Sequence, residues 1–124
     1  MIRGIGLDLV ELSRIRDSLD RFGERFLARI LTPAERAALP QGNAVPHVAD
    51  LFAAKEAAVK ALGTGFSGGI GFHTVELAHL PSGRPEMRLL GKALEQARSM
   101  GASSVHVSLT HGRDTAAAVV VLEG

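Results

Sequence analysis

Three charged residues in two separate segments could together hold a metal ion and a phosphate. Asp8 interrupts an apolar run near the amino terminus, and Glu56 and Lys60 lie four residues apart in an alanine-rich segment. On a helix this spacing places Glu56 and Lys60 on one face, where they could form an ordinary stabilising ion pair. Asp8, taken alone, could equally be a strand-end or helix-capping residue. With Asp8 opposite them, however, the same residues could bind Mg²⁺, which prefers one or two carboxylates together with phosphate oxygens and water.

The segments that carry these residues have the periodicities of a strand and a helix. In residues 2–10, apolar side chains alternate with Gly4, Gly6 and Asp8, which predicts a strand. Glycines in a strand often mark the close approach of a ligand or of another backbone, and the alternative is a bulge or a tight packing contact; the sequence does not decide between the two. Residues 47–62 predict a long helix, with Gly63 as its C-cap.

The other elements follow from periodicity and turn chemistry. Apolar residues recur at helical spacing over residues 12–30, with a possible break at Gly23, and Thr32 to Glu35 is a strong helix start. We expect strands at 72–80 and 86–89, a helix at 91–100, and strands at 104–110 and 115–122 joined by a four-residue loop. Residues 1–124 therefore predict one α+β domain, with helices packed on one face of a mainly antiparallel sheet.

Composition excludes several classes of protein. The 124 residues carry 14 basic and 13 acidic side chains, so there is no general basic field for nucleic acid. Cysteine is absent, which excludes thiolate nucleophiles and zinc–thiolate sites. No apolar stretch approaches the roughly 18 residues of a membrane span. We therefore expect a cytoplasmic protein that binds neither nucleic acid nor membrane.

Two long motifs resemble those of a known enzyme family. Residues 4–14 are similar to the opening motif of the holo-acyl-carrier-protein synthases, and residues 52–65 resemble their second and most specific motif. Residues 30–35 and 106–111 are similar in kind and order, so the resemblance covers essentially the whole chain. It implies a 4′-phosphopantetheinyl transferase fold and a Mg²⁺-dependent enzyme of fatty acid biosynthesis. Such an enzyme transfers the 4′-phosphopantetheine group of coenzyme A to a serine of apo acyl carrier protein and releases adenosine 3′,5′-bisphosphate.

The resemblance also implies roles for individual residues. Asp8 and Glu56 would hold Mg²⁺, Lys60 would contact the coenzyme A phosphates, and Glu56 is the candidate base. Further coenzyme A contacts are expected from Gly63, from the turn residues Gly83, Arg84 and Pro85, and from His111. The alternatives are a plain C-cap at Gly63, a plain hairpin turn at residues 82–85 and a solvated or capping role for His111.

A basic stripe could bind the carrier protein. Arg14, Arg21 and Arg25 fall within about 40° of one another on a helical wheel if the helix is continuous. Acyl carrier proteins are acidic, so such a stripe would steer and orient one. The resemblance supports Arg14 in this role, whereas a solvated charged face remains an alternative for the stripe, because acidic residues are interspersed.

One segment departs from the family pattern. Leu51 stands where an Arg usually precedes the aromatic residue of the second motif, and residues 37–48 contain no Lys or Arg. Basic residues there assist with the nucleotide 3′-phosphate in the family, so we expect the contacts to this group to differ.

A homotrimer with active sites between subunits is the expected assembly. The resemblance implies it, and a short chain with a modest core gains stability by burying apolar surface against copies of itself. Residues 116–122 lack strict alternation of apolar and polar types, so both faces of that strand should be covered. Two other functional hypotheses remain: a catalytically idle carrier-binding module and a structural oligomerisation domain.

Overall fold

A computed structural model describes all 124 residues and shows five helices and five strands. In chain order the elements are β1 (Ile2–Glu11), α1 (Leu12–Phe22), α2 (Glu24–Ile30), α3 (Pro33–Ala37), α4 (Val45–Leu62), a 3₁₀ turn (Phe72–Thr74), β2 (Val75–His79), β3 (Pro85–Leu89), α5 (Gly91–Ser99), β4 (Ser104–His111) and β5 (Thr115–Glu123). The predicted α+β class is confirmed.

The strands form two antiparallel sheets rather than one. The first has the order β1-β5-β4, and β2 and β3 form the second. Although β3 and β4 are neighbours, no ladder of hydrogen bonds joins them, so the sheet is interrupted there. The loop between β4 and β5 has three residues instead of the predicted four, because His111 still pairs with Ala116.

Helix α4 is the centre of the core and packs across β1 and β5. Thirteen of its 18 residues are buried, which matches a helix that is apolar nearly all round. The face of β5 that meets it is formed by alternate residues from Ala116 to Leu122, each at most 2% exposed. A helix rich in alanine fits here because its small side chains allow the close approach of the sheet.

Glycines in β1 bring α4 unusually near to this strand. A Cβ atom at Gly6 would overlap the carbonyl oxygen of Ala57, and one at Gly4 would overlap that of Ala61. These glycines therefore mark the close approach of another backbone, that of α4. Asp8 follows on the same face of the strand by the two-residue period, so it too is directed towards α4.

Local capping chemistry confirms several predicted boundaries. Gly23, with a φ of 52°, separates α1 from α2, and Gly63 ends α4 in the left-handed conformation. Thr32 and Glu35 form a reciprocal capping box at the start of α3. The predicted strand at 72–80 is shorter than expected, because residues 72–74 form a 3₁₀ turn.

The outer face of the three-stranded sheet is apolar and uncovered. Ile5, Leu7 and Leu9 point away from α4, and between 62% and 66% of each is exposed. On β5 the residues beside them are half-buried. No element of the single chain therefore covers Ile5, Leu7 and Leu9. None of the helices is both long enough and apolar enough to cross a membrane.

Candidate active site

Asp8 and Lys60 meet at the edge of the β1–α4 contact. The Lys60 Nζ atom lies 3.0 Å from Asp8 Oδ1 and donates a second hydrogen bond to the Leu7 carbonyl oxygen at 3.1 Å. The Asp8 side chain is only 14% exposed, whereas that of Lys60 is 53% exposed. The pair thus has one well-held carboxylate and one cation that can still reach a ligand in solvent.

Glu56 lies one helical turn before Lys60 and beside Asp8. Burial raises the pKa of the Glu56 carboxyl, and the nearby negative charge of Asp8 raises this pKa further, while Lys60 and Arg14 oppose the shift. Because Lys60 bonds to Asp8 instead, the ordinary Glu56–Lys60 ion pair does not form. Two carboxylates from separate elements therefore lie close enough to repel one another, and Lys60 is bonded to only one of them.

This donor set fits Mg²⁺. The site offers two carboxylates, and no group of three or more Asp, Glu, His or Cys side chains is placed to hold a metal. A hard divalent cation with few protein ligands completes its octahedral shell with water and substrate phosphates. A cation here would also relieve the like-charge repulsion that raises the pKa of Glu56.

Arg14 lies beside the carboxylate pair, on α1. Its guanidinium sits over the ring of Phe52 at 5.3 Å from the centroid, and its charge reaches Glu56. Arg21 stacks over Phe22 in the same way. Arg25 lies on α2, beyond the break at Gly23, so the wheel argument for a continuous stripe holds for Arg14 and Arg21 only.

His111 lies apart from the carboxylate pair in the same chain. Its Nδ1 atom is 2.9 Å from Asp50 Oδ2 on α4, six residues before Glu56. Six helical residues correspond to about 9 Å along the helix axis. A ligand would have to extend along α4 to touch both places.

The remaining predicted coenzyme A residues are also separate from the carboxylates. Gly83 and Arg84 form the exposed tight turn between β2 and β3, and Pro85 begins β3. Gly63 follows the last residue of α4 and has open space around its α-carbon. No hydrogen bond joins the turn to Asp8, Glu56 or Lys60. The structure therefore brings Asp8, Glu56 and Lys60 together, with Arg14 beside them, and places the other predicted site residues elsewhere.

The segment that departs from the family pattern contributes no fixed positive charge. Leu51 is 2% exposed and belongs to the core. Nearby, the rings of His47 and His79 are 5.8 Å apart. Burial lowers the pKa of His47, and His79 lowers it further, while Asp50 and Glu35 oppose the shift, so the neutral form of His47 is favoured.

A buried ion pair behind the site was not predicted from the sequence. The Lys55 Nζ atom lies 2.6 Å from Glu35 Oε1, and both side chains are fully buried. Burial lowers the pKa of Lys55, whereas its hydrogen bond to Glu35 raises it. The available signal was a Lys in an otherwise apolar helical run, immediately before Glu56.

The chain is similar to known proteins along nearly its whole length. Residues 4–120 match the 4′-phosphopantetheinyl transferase superfamily. A holo-acyl-carrier-protein synthase of Solidesulfovibrio magneticus is 64% identical over 100% of both chains. The crystal structure of the synthase from Neisseria meningitidis has a TM-score of 0.90 at 43% identity and covers 100% of both chains. That of Helicobacter pylori, in complex with coenzyme A, has a TM-score of 0.84 at 32% identity and covers 96% of this chain and 99% of that one.

These findings define the class as phosphopantetheinyl transferase. Within that class, the chain belongs to the holo-acyl-carrier-protein synthase family. The predicted family, fold and enzyme class are confirmed. Enzymes of this class transfer the 4′-phosphopantetheine group of coenzyme A to apo acyl carrier protein.

Proposed function

We propose that this chain performs the transfer with Mg²⁺ held by Asp8 and Glu56, in the service of fatty acid biosynthesis. The observation that carries the proposal is the convergence of these two carboxylates with Lys60 from separate elements. When bound, Mg²⁺ would polarise the pyrophosphate of coenzyme A and offset its negative charge.

The reaction needs a nucleophile, a leaving group and a proton acceptor. The serine oxygen of the carrier bonds to the phosphorus that bears pantetheine, and the bond from this phosphorus to the bridging oxygen breaks. Adenosine 3′,5′-bisphosphate leaves with the bonding electron pair. Lys60 is exposed enough to contact these phosphates and stabilise the charge that develops. Glu56 lies beside Asp8 and Lys60 and is our candidate acceptor for the serine proton.

Incubation with coenzyme A, Mg²⁺ and apo acyl carrier protein tests the function directly. The mass of the carrier should rise by one phosphopantetheine group, and omission of Mg²⁺ should prevent the change. A carrier-binding module would bind the carrier without changing its mass. A purely structural oligomerisation domain would bind neither the carrier nor coenzyme A.

We expect Arg14 to act on the carrier protein and not on coenzyme A. Its guanidinium is exposed and held over Phe52, where an acidic partner could reach it. Arg14→Ala should raise the KM for the carrier several-fold and leave the KM for coenzyme A unchanged. Added salt should reduce the difference, because exposed charges are screened over about 8–10 Å at physiological ionic strength.

Steady-state kinetics with each substrate varied in turn measures this effect. Arg98→Ala, an exposed arginine on α5, is the matched control and should change neither KM. A rise in the KM for coenzyme A alone would assign Arg14 to the nucleotide pocket. We propose that Arg21 and Arg25 also contact the carrier protein, because they too are positively charged.

The proposed assembly is a homotrimer, with each active site between two subunits. The uncovered Ile5, Leu7 and Leu9 face supports self-association, because burying exposed apolar area stabilises contact between copies. His111 and the turn at residues 82–85 lie away from the carboxylate pair, so we propose that they close the pocket of a neighbour. Gly63, Gly83, Arg84 and Pro85 remain predicted coenzyme A contacts, and the cytoplasmic location remains a prediction from sequence.

Mixed subunits test the shared site. Asp8→Ala and His111→Ala proteins should each be weakly active, and hybrid trimers formed by unfolding and refolding them together should regain activity. Activity should return because, at some subunit boundaries, one subunit supplies an intact Asp8 and its neighbour supplies an intact His111. Light scattering that found a stable, fully active monomer would contradict the assembly.

A further inference from the structure

Lys55 is completely buried and uses its whole hydrogen-bonding capacity. Its ammonium donates to Glu35 Oε1 at 2.6 Å, to the Ile30 carbonyl oxygen at 2.8 Å and to the Phe72 carbonyl oxygen at 2.8 Å. An ammonium group has three donors and no acceptor, so none remains for a substrate. Lys55 therefore cannot be a catalytic residue in this conformation.

Both carboxylate oxygens of Glu35 also accept hydrogen bonds. Besides the ammonium, its Oε1 atom accepts from the backbone N–H of Thr32 at 2.8 Å, and its Oε2 atom accepts from that of Leu77 at 2.7 Å. Glu35, which completes the capping box of α3, thus also bonds to α4 and β2. We call Lys55, Glu35 and their backbone partners the polar hub.

The polar hub joins four segments to α4. It connects the end of α2, the start of α3, the 3₁₀ turn and β2 to one position of the helix. Hydrogen bonds are directional, so three of them on one side chain fix both the rotation and the axial position of α4 at that turn. The close contact of Gly4 and Gly6 fixes the distance of α4 from β1 on the other side.

Glu56 is the next residue along α4 and depends on this placement. Lys60 bonds to Asp8 and the Leu7 carbonyl, so no ion pair holds the Glu56 carboxylate. Successive helical side chains are about 100° apart, so anchoring Lys55 in the core turns Glu56 towards Asp8. The direction of Glu56 is thus set by the helix and not by a partner of its own.

A buried ion pair is not an efficient way to gain stability. The cost of removing two charges from water often exceeds their attraction, and apolar replacements can be neutral or stabilising. The pair is best explained by the geometry that it imposes. We propose that the Lys55–Glu35 pair is a positioning device that holds Glu56 at metal-binding distance from Asp8.

This inference rests on the proposed metal site, so its test measures metal binding directly. Lys55→Met/Glu35→Gln removes both charges, keeps the side-chain volumes similar and retains an amide oxygen for a backbone N–H. Glu35→Gln alone is the second variant: it keeps an amide oxygen for the Lys55 ammonium but removes its counter-charge, so it is measured at temperatures at which the protein remains folded. The matched control is Val59→Ala, which removes buried apolar volume from α4 without removing any hydrogen bond of the hub.

Three quantities are measured for each protein: the melting temperature, the Kd for Mn²⁺ by electron paramagnetic resonance with coenzyme A present, and the Mg²⁺ concentration for half-maximal transfer. We expect the double variant to bind Mn²⁺ at least 10-fold more weakly and to need correspondingly more Mg²⁺. Glu35→Gln should show a smaller shift in the same direction. Val59→Ala should lower the melting temperature and leave both metal measurements unchanged.

Unchanged Mn²⁺ binding in folded hub variants would overturn the positioning role, as would an equal loss of binding in Val59→Ala. Asp8→Asn separates this inference from the proposed site on which it rests. If Asp8→Asn also binds Mn²⁺ normally, the metal site itself is misassigned. If only the hub variants bind normally, the metal site stands and the positioning role is wrong.

Discussion

Replacement of Glu56 by Gln should reduce phosphopantetheine transfer by about 100-fold or more, the range seen when one electrostatic contributor to a transition state is lost. The amide keeps the size of the side chain but removes the charge that we assign to Mg²⁺ and to the proton of the serine. The side chain makes no ion pair, so the fold should survive and the melting temperature should change little. Asp8→Asn should reduce transfer to a similar extent, because it removes the other carboxylate of the pair.

Carrier mass analysis over time measures both rates. Glu95→Gln, an exposed carboxylate on α5, is the matched control and should keep full activity. Full activity in either site variant, with the fold intact, would remove the two-carboxylate assignment. Loss of activity together with loss of helix content would show instead that the charge is needed for folding.

Replacement of Gly6 by Ala should have the largest effect on stability. A Cβ atom at this position would overlap the carbonyl oxygen of Ala57, and both groups belong to backbones that cannot rotate away. Overpacking costs about 1–3 kcal/mol and occasionally more, and we expect about 3 kcal/mol here. The separation of β1 from α4 should also move Asp8 away from Glu56, so transfer should fall more than the loss of folded protein explains.

Thermal unfolding followed by circular dichroism provides the measurement, with a fall of roughly 10 °C expected for this size of domain. Gly71→Ala is the control, because its backbone is extended and nothing lies within 4 Å of the added methyl group. It should unfold at the native temperature. A Gly6→Ala protein with native stability and activity would show that β1 and α4 do not need this close contact.

The elements and their caps could be predicted from sequence because they depend on local chemistry. The two-residue period of β1, the capping box of Thr32 and Glu35 and the left-handed Gly63 all involve neighbours in the chain. The division into two sheets could not be predicted in this way. Strand order depends on which edges meet in space, and no residue pattern in β3 or β4 reports that β3 pairs only with β2.

The site was predictable in part. The four-residue spacing of Glu56 and Lys60 placed them on one face, and the family motifs indicated Asp8 as their partner. The partner of Lys60 was not predictable. The close approach of β1 to α4 at Gly6 brings Asp8 Oδ1 to 3.0 Å from Lys60 Nζ, so Asp8 competes with Glu56 for Lys60. The Lys55–Glu35 pair joins residues 20 positions apart, and its formation depends on the packing of α3 against α4.

The most direct test of the central claim is a crystal structure of the protein with Mn²⁺ and coenzyme A, recorded with the anomalous signal of manganese. We expect one strong anomalous peak per site, bound by carboxylate oxygens of Asp8 and Glu56 and by a pyrophosphate oxygen. A peak bound by other residues would contradict the assignment. So would coenzyme A bound with no metal between these two carboxylates, in a protein whose activity requires the metal.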